Sequence, residues 1–196
     1  ITFRQEYEAS FEIITGRPRF DIEILRQLRL VAKKPLETDG FLDIYEKPEE
    51  NCKYVMGCDT SEGKIDGDKS SVVILNVNTL SIVAEYNGLL EPDILAGYIA
   101  QCGTKYQKAL AVVEVNNHGL ATLTELKKIY GEVYYRKNFN RIVNEWQVSI
   151  GWQTSVSTKP ILIGNLSKYL RDGLYIPSIG IIDELMTFVI NEAGSM

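Results

Sequence analysis

The stretch "VMGCDTSEGKIDGDKSSVVIL", residues 55–75, decides which fold this chain can adopt. Gly57 and the Gly63-Lys64 pair look at first like a phosphate loop, but the spacing excludes one. A Walker A loop has four residues between its glycines, then Lys and a Ser or Thr whose hydroxyl reaches Mg²⁺. Here five residues separate Gly57 from Gly63, and Ile65 follows the lysine with no oxygen to offer a metal. A dinucleotide fingerprint is excluded as well, because a strand-like run, "SSVVILNV", stands where a helix would have to open. What remains is an apolar strand ending on Asp59, a polar turn, and a second strand. That arrangement suits a metal ligand held on rigid backbone beside an open loop.

The bulk composition sets the frame. A chain of 196 residues, 45% of them hydrophobic, can bury one core, which predicts one domain overall. Within it, residues 1–50 read as an entry segment packing on a main domain of residues 51–196. No apolar run approaches the roughly 18–20 residues that span a bilayer. The opening "ITFRQEYEASFEI" is charged throughout and has no signal-peptide core, which predicts an intracellular protein. A net charge of −5 argues against a basic nucleic-acid grip over the whole surface but leaves room for a local basic groove. It also suits a site that gathers carboxylates. Cys52, Cys58 and Cys102 are odd in number and lack C-x-x-C spacing, so they read as reduced, packed thiols. The sole histidine, His118, excludes a multi-histidine metal site.

Periodicity supplies the elements. "DIEILRQLRLVAKK" reads as an amphipathic helix opened by Asp21, and Pro35, Gly40 and Pro48 punctuate the stretch after it. Strands are predicted over 52–59, 71–77 and 80–87, and a helix over 92–106. "ALAVVEVN" is the continuous apolar run of a buried parallel strand. "GLATLTELKKIY" is an amphipathic helix and "EVYYR" a further strand. Residues 138–150 suggest a hairpin. "STKPILIGNLSKYLRDG" reads as a helix with Pro160 in its first turn and Gly173 at its C-cap. A last helix begins near "IDELMTFVI". The order predicts an α/β fold: a mixed central β-sheet, its first three strands a meander and the helix-linked strand parallel, flanked by helices on both faces. Ligands in such sheets bind beyond strand ends where the connection order switches.

Asp59 closes the first strand and Glu114 ends "ALAVVEV". A carboxylate in so apolar a run needs a cation or good hydrogen bonds to stay charged. Two carboxylates at the same end of adjacent strands would converge on a divalent ion, and hard oxygen ligands favour Mg²⁺ or Mn²⁺. Two such ions about 4 Å apart would activate a water and stabilise the leaving oxygen in phosphodiester hydrolysis. The residues alone leave an equal alternative, in which Asp59 caps a turn and Glu114 pairs with a lysine.

Several segments, in order, break that tie. "FRQEYEASFEIITGRPRFD", "GCDTSEGKIDGDKSSVVIL", "VVEVNNHGLATLTEL", "GWQTSVSTKPILIGNLSKYLRDG" and "IIDELMTFV" together resemble the nuclease domain of the large terminase subunit of tailed bacteriophages, over nearly the whole length. The resemblance implies a ribonuclease H-like fold and a metal-dependent endodeoxyribonuclease that cuts concatemeric double-stranded DNA during viral genome packaging. It implies Mg²⁺ or Mn²⁺, two ions in the complete site, as cofactor. Implied partners are double-stranded DNA, an N-terminal ATPase domain of the same polypeptide, the portal protein and the small terminase subunit. The implied location is the host cell cytoplasm, outside the virion.

Carried over by position, Asp59 matches the first metal aspartate and Glu114 the second metal acid. The family's third acid lies in an Asp-Asp pair before another helix. No such pair occurs in this sequence, so that ligand is expected beyond Met196. Asp183 and Glu184 match the family's "EL" helix instead, and Asp183 is expected to open that helix.

His118, Asn116 and Asn117 read as turn and N-cap residues ahead of a helix, and Asp66 and Asp68 as solvated loop acids. Lys64, Arg136 and Lys159 are the candidate DNA-phosphate contacts, against a reading as ordinary surface cations. Trp146 and Trp152 read as hairpin packing residues. Two other functions compete: a ribonuclease H-like module that docks on DNA or portal without cutting, and another nuclease of the fold such as a junction resolvase. The "GWQT…TKP" segment and the entry region argue against the last.

Overall fold

The computed structural model describes residues 17–140 and 144–190. The first sixteen residues, which carry part of the terminase-like entry, lie outside them. Strands are β1 (Arg17–Pro18), β2 (Glu37–Asp39), β3 (Leu42–Ile44), β4 (Tyr54–Asp59), β5 (Ser70–Asn76), β6 (Ser81–Gly88), β7 (Leu110–Val113), β8 (Tyr135–Asn140), β9 (Glu145–Ile150) and β10 (Val189–Ile190). Helices are α1 (Ile22–Leu30), α2 (Pro92–Lys105), α3 (Asn117–Ile129), α4 (Lys159–Arg171) and α5 (Ile179–Thr187). The chain divides into two compact units, Ile1–Lys33 with Ile176–Met196, and Lys34–Tyr175.

In the first unit α1 packs on α5, and β1 pairs antiparallel with β10. Asp21 opens α1 as expected, its carboxylate accepting from the Glu23 and Ile24 amides. The last helix differs from expectation. It begins at Ile179, capped by the Ser178 hydroxyl, so Asp183 falls in mid-helix and forms an ion pair with Arg29 of α1. Asp183 therefore does not open the helix. Ser178 caps as well as an aspartate would, and starting there adds a turn that carries the buried Ile182.

The second unit holds a six-stranded mixed sheet in the order β2-β3-β6-β5-β4-β7. The meander β4-β5-β6 is antiparallel, and β7 adds to the other side of β4 in parallel. Side chains alternate across the pleat. Tyr54, Met56 and Cys58 of β4, Val72 and Ile74 of β5, and Ala111 and Val113 of β7 are buried on one face. With them in one core cluster are Leu95, Ile99, Cys102 and Tyr106 of α2 and Leu123 and Leu126 of α3. Cys52, Cys58 and Cys102 are free thiols, and burial pushes Cys58 and Cys102 upward in pKa, Cys102 to about 12. The opposite face carries Val55, Gly57 and Asp59, and Leu162 of α4 reaches a groove on it.

Two other departures from the sequence reading are local. The sequence predicts no strand before residue 52, yet the β2–β3 hairpin extends the sheet beyond β6. Strands of three residues are too short to show alternation. Leu42 and Ile44 are buried through pairing with Tyr86 and Ala84, far off in sequence. "EVYYR" does not form one strand. Val133 makes a single bridge to Ala111, and the expected hairpin, β8–β9, springs from Tyr135.

Met56 is fully buried in β4, between β5 and β7. Met56→Ala should cost about 2–5 kcal/mol, seen as a lower urea midpoint at unchanged m-value.

Candidate metal centre

Register brings the two carboxylates together. Cys58 of β4 is paired with Val113 of β7, and the Glu114 amide donates to the Cys58 carbonyl at 2.9 Å. Asp59 and Glu114 each lie one residue beyond that pair, so they step out of neighbouring parallel strands side by side and on the same face. Ser71 stands directly opposite Asp59 on β5. Both acids line one open groove of about 570 Å³, with Gly57, Ser71, Val73, Val112, Tyr134, Trp152 and Leu162 among its walls.

The Asp59 carboxyl is raised above its ordinary range. Burial is the largest cause, followed by the negative charge of Glu114, with a smaller push from Asp68; the Thr60 backbone hydrogen bond opposes them. Folding thus concentrates negative charge in a half-enclosed groove, where Asp59 keeps an exposed face. A cation there would relieve both effects, so the donor set fits a hard divalent ion. Among the described residues, no group of three or more His, Cys, Asp or Glu is placed to hold a metal ion.

Several polar groups hold the two strand ends in place. Asn116 accepts from the His118 and Gly119 amides, capping α3, and its side-chain amide also donates to the Thr60 carbonyl at 2.9 Å. The Thr60 hydroxyl bonds back to Asn116 at 3.1 Å. One side chain therefore ties the residue after Asp59 to the start of the helix after Glu114. Gly119 completes the joint: a Cβ there would sit 1.8 Å from the Glu114 carbonyl oxygen, so only glycine permits the approach. At the other side, buried Ser61 bonds buried Ser70 through its amide (2.9 Å) and its hydroxyl (3.0 Å), closing the loop between β4 and β5 at its base. Gly63 in that loop has φ 77°. Sequence reasoning placed Asn116 at the cap but missed its bond to Thr60, and missed Gly119 and the serine pair altogether. The one visible signal was small polar residues at both ends of the loop, "TS" and "KSS".

The candidate phosphate contacts are dispersed. Lys64 pairs with Glu62 at 2.5 Å and lines a separate cavity shared with Asp66, Glu91, Asp93 and Glu125. Arg136 donates to the Gly151 carbonyl at 3.2 Å at the base of the hairpin. Lys159 is the first residue of α4. None of the three lines the groove that holds Asp59 and Glu114. His118 lies in the first turn of α3, Asn117 is that helix's first residue, and Asp183 belongs to the other unit. Trp146 is exposed on β9, whereas Trp152 bridges Glu114 on the adjoining backbone and walls the groove.

No protein-family model matches the chain. Solved structures do. The large terminase nuclease from thermophilic phage G20c superposes with a TM-score of 0.61 at 20% identity, over 87% of this chain and 84% of that one. Its magnesium-bound form gives 0.64 at 18% identity, over 92% and 86%. The large terminase nuclease domain of Thermus phage P74-26 gives 0.59 at 18% identity, over 88% and 82%. At such identities the likeness establishes the fold: a ribonuclease H-like mixed sheet flanked by helices, as expected from the sequence.

Two measurements test this geometry. A raised carboxyl pKa costs nothing below the ordinary carboxylate range, where Asp59 is protonated folded or unfolded. It lowers stability as pH rises through the raised value, where the folded state must ionise at greater cost. Asp59→Asn should therefore raise the melting temperature at pH 7, and the gain should vanish at low pH. Asn116→Ala should lose about 1–2 kcal/mol with the cap and weaken Mn²⁺ binding by calorimetry. Asn116→Asp should keep the cap and the bond from the Thr60 hydroxyl while losing the bond to the Thr60 carbonyl.

Proposed function

We propose that this chain is a metal-dependent endodeoxyribonuclease, the cutting domain of a genome-packaging large terminase subunit acting on concatemeric double-stranded DNA. The observation that carries the reading is the in-register placement of Asp59 and Glu114 at the ends of β4 and β7, on one open face. Its support is the shared fold with phage large terminase nucleases, one of which, that of phage G20c, is solved with bound magnesium, cobalt and zinc.

On this reading Asp59 and Glu114 hold Mg²⁺ or Mn²⁺ through carboxylate oxygens. When bound, such ions polarise the phosphodiester and lower the pKa of a water. The chain's own contribution is positional. The parallel backbone ladder fixes the spacing of the carboxylates, the Asn116–Thr60 bonds restrain both strand ends, and Tyr134, Trp152 and Leu162 keep bulk water from one flank of the groove. The net charge of −5 means that the grip on DNA depends on the ion and on cations outside the groove, for which Lys64, Arg136 and Lys159 are the candidates. Contacts mainly to phosphate would give little sequence preference. The proposed setting is the host cytoplasm, with the ATPase domain, portal and small subunit as partners.

The test is plasmid cleavage. The purified chain with Mn²⁺ should nick or linearise plasmid, EDTA should abolish it, and Asp59→Ala and Glu114→Ala should each lower the rate by about 100-fold or more. Both variants should keep the parent's circular dichroism spectrum. Equal cleavage by parent and variants would remove the carboxylates from the chemistry.

A further inference from the structure

Gly57 has no structural reason to be glycine. It sits in β4, an interior strand paired on both sides between β5 and the edge strand β7, where β-branched residues are favoured. Glycine inside a strand ordinarily marks a bulge, a special backbone conformation, a crowded backbone or a place where a ligand comes close. Pairing of β4 is unbroken through Gly57 on both sides, opposite Val73 and opposite Val112, so there is no bulge. Its φ is not among the positive ones. A Cβ built on it meets nothing within 4 Å, so nothing crowds it. Gly57 is nevertheless exposed, on a strand paired along both edges, between two half-buried valines.

The missing side chain leaves a trough in the sheet face. It runs along β4 between Val73 and Val112 and ends at Asp59 and Glu114, with Tyr134 and Trp152 on its flank. Gly57 is two residues from Asp59, about 6.7 Å along a strand, roughly the length of one nucleoside. Beyond the carboxylates and Ser71 the walls are apolar, which suits a sugar ring and a base edge and offers nothing to a second phosphate.

Resting on the nuclease reading, we infer that Gly57 is a specificity-determining residue: its bare backbone is the seat of the nucleoside next to the phosphate held at Asp59 and Glu114. The DNA strand being cut lies along β4, and the size of residue 57 decides whether it reaches the carboxylates.

The experiment is a size series, Gly57→Ala and Gly57→Val, in the full chain. Three readouts are needed: Mn²⁺ affinity by calorimetry, binding of a fluorescein-labelled duplex by anisotropy with Ca²⁺, and plasmid nicking with Mn²⁺. Gly57→Val should melt no lower than the parent and bind Mn²⁺ equally well. It should bind duplex about tenfold or more weakly and show the loss in KM, with Gly57→Ala between the two. Parent-like DNA binding by Gly57→Val overturns the inference, as does a parallel loss of Mn²⁺ affinity, which would put the effect in the carboxylates. If the parent does not nick with any divalent ion, the nuclease reading fails on its own, and anisotropy decides the trough. Weaker duplex binding by the valine variant then supports it, whereas equal binding, or no binding by the parent, overturns it.

Discussion

The pairing of β4 with β7, parallel and with Cys58 opposite Val113, is the contact on which the rest of this molecule's chemistry depends. A parallel ladder needs a crossover, and here the crossover is long: two antiparallel strands and α2 lie between the partners. Closing so long a loop costs chain entropy, and buried apolar surface offsets it. Met56 and Cys58 on β4, and Ala111 and Val113 on β7, are enclosed on the face shared with α2 and α3. Because side chains alternate, the same register that buries these residues turns Gly57, Asp59, Val112 and Glu114 outward together. A slip of one residue would bury the carboxylates and expose the core. Site and core are therefore specified by a single register.

The strand ends would still splay without local restraint. The local contacts at the joint are short-range and specific: the hydrogen bonds of Asn116 with Thr60 and of Ser61 with Ser70, and the close approach of the Gly119 backbone to the Glu114 carbonyl. Each holds backbone or a side chain near the two acids rather than a carboxylate itself. Apart from the Thr60 backbone hydrogen bond, the Asp59 carboxyl faces the negative charge of Glu114, and that repulsion is the imbalance that a cation corrects. Electrostatic cost at a functional site, balanced by packing elsewhere, is a familiar arrangement.

The lysines and arginine singled out for phosphate illustrate a limit. Lys64 is two residues from Asp66 and five from Asp59 in sequence, yet it pairs with Glu62 and faces a different cavity. Arg136 spends a guanidinium nitrogen on the Gly151 carbonyl. Sequence proximity to an active carboxylate says little about where a long side chain points, because neighbouring acids compete for it at low cost. Asp183 shows the same thing in reverse: read as a helix opener, it is instead the partner of Arg29, a residue more than a hundred positions away.

The linear pattern alone determined which segments become strands and helices wherever the apolar period was long enough to read: β4, β5, β6, β7, α2, α3 and α4 stand where their alternation or helical spacing puts them. It also determined that Asp59 and Glu114 end apolar runs, which is a local property. Only the tertiary structure decided which strand ends meet, that the three-residue strands of the β2–β3 hairpin join the sheet, and that Gly57 faces an open trough rather than a neighbour. The reason is physical. Periodicity reflects burial on one face of a single element, whereas register, clamps and grooves arise from pairings between residues far apart in the chain, which leave no period in the sequence.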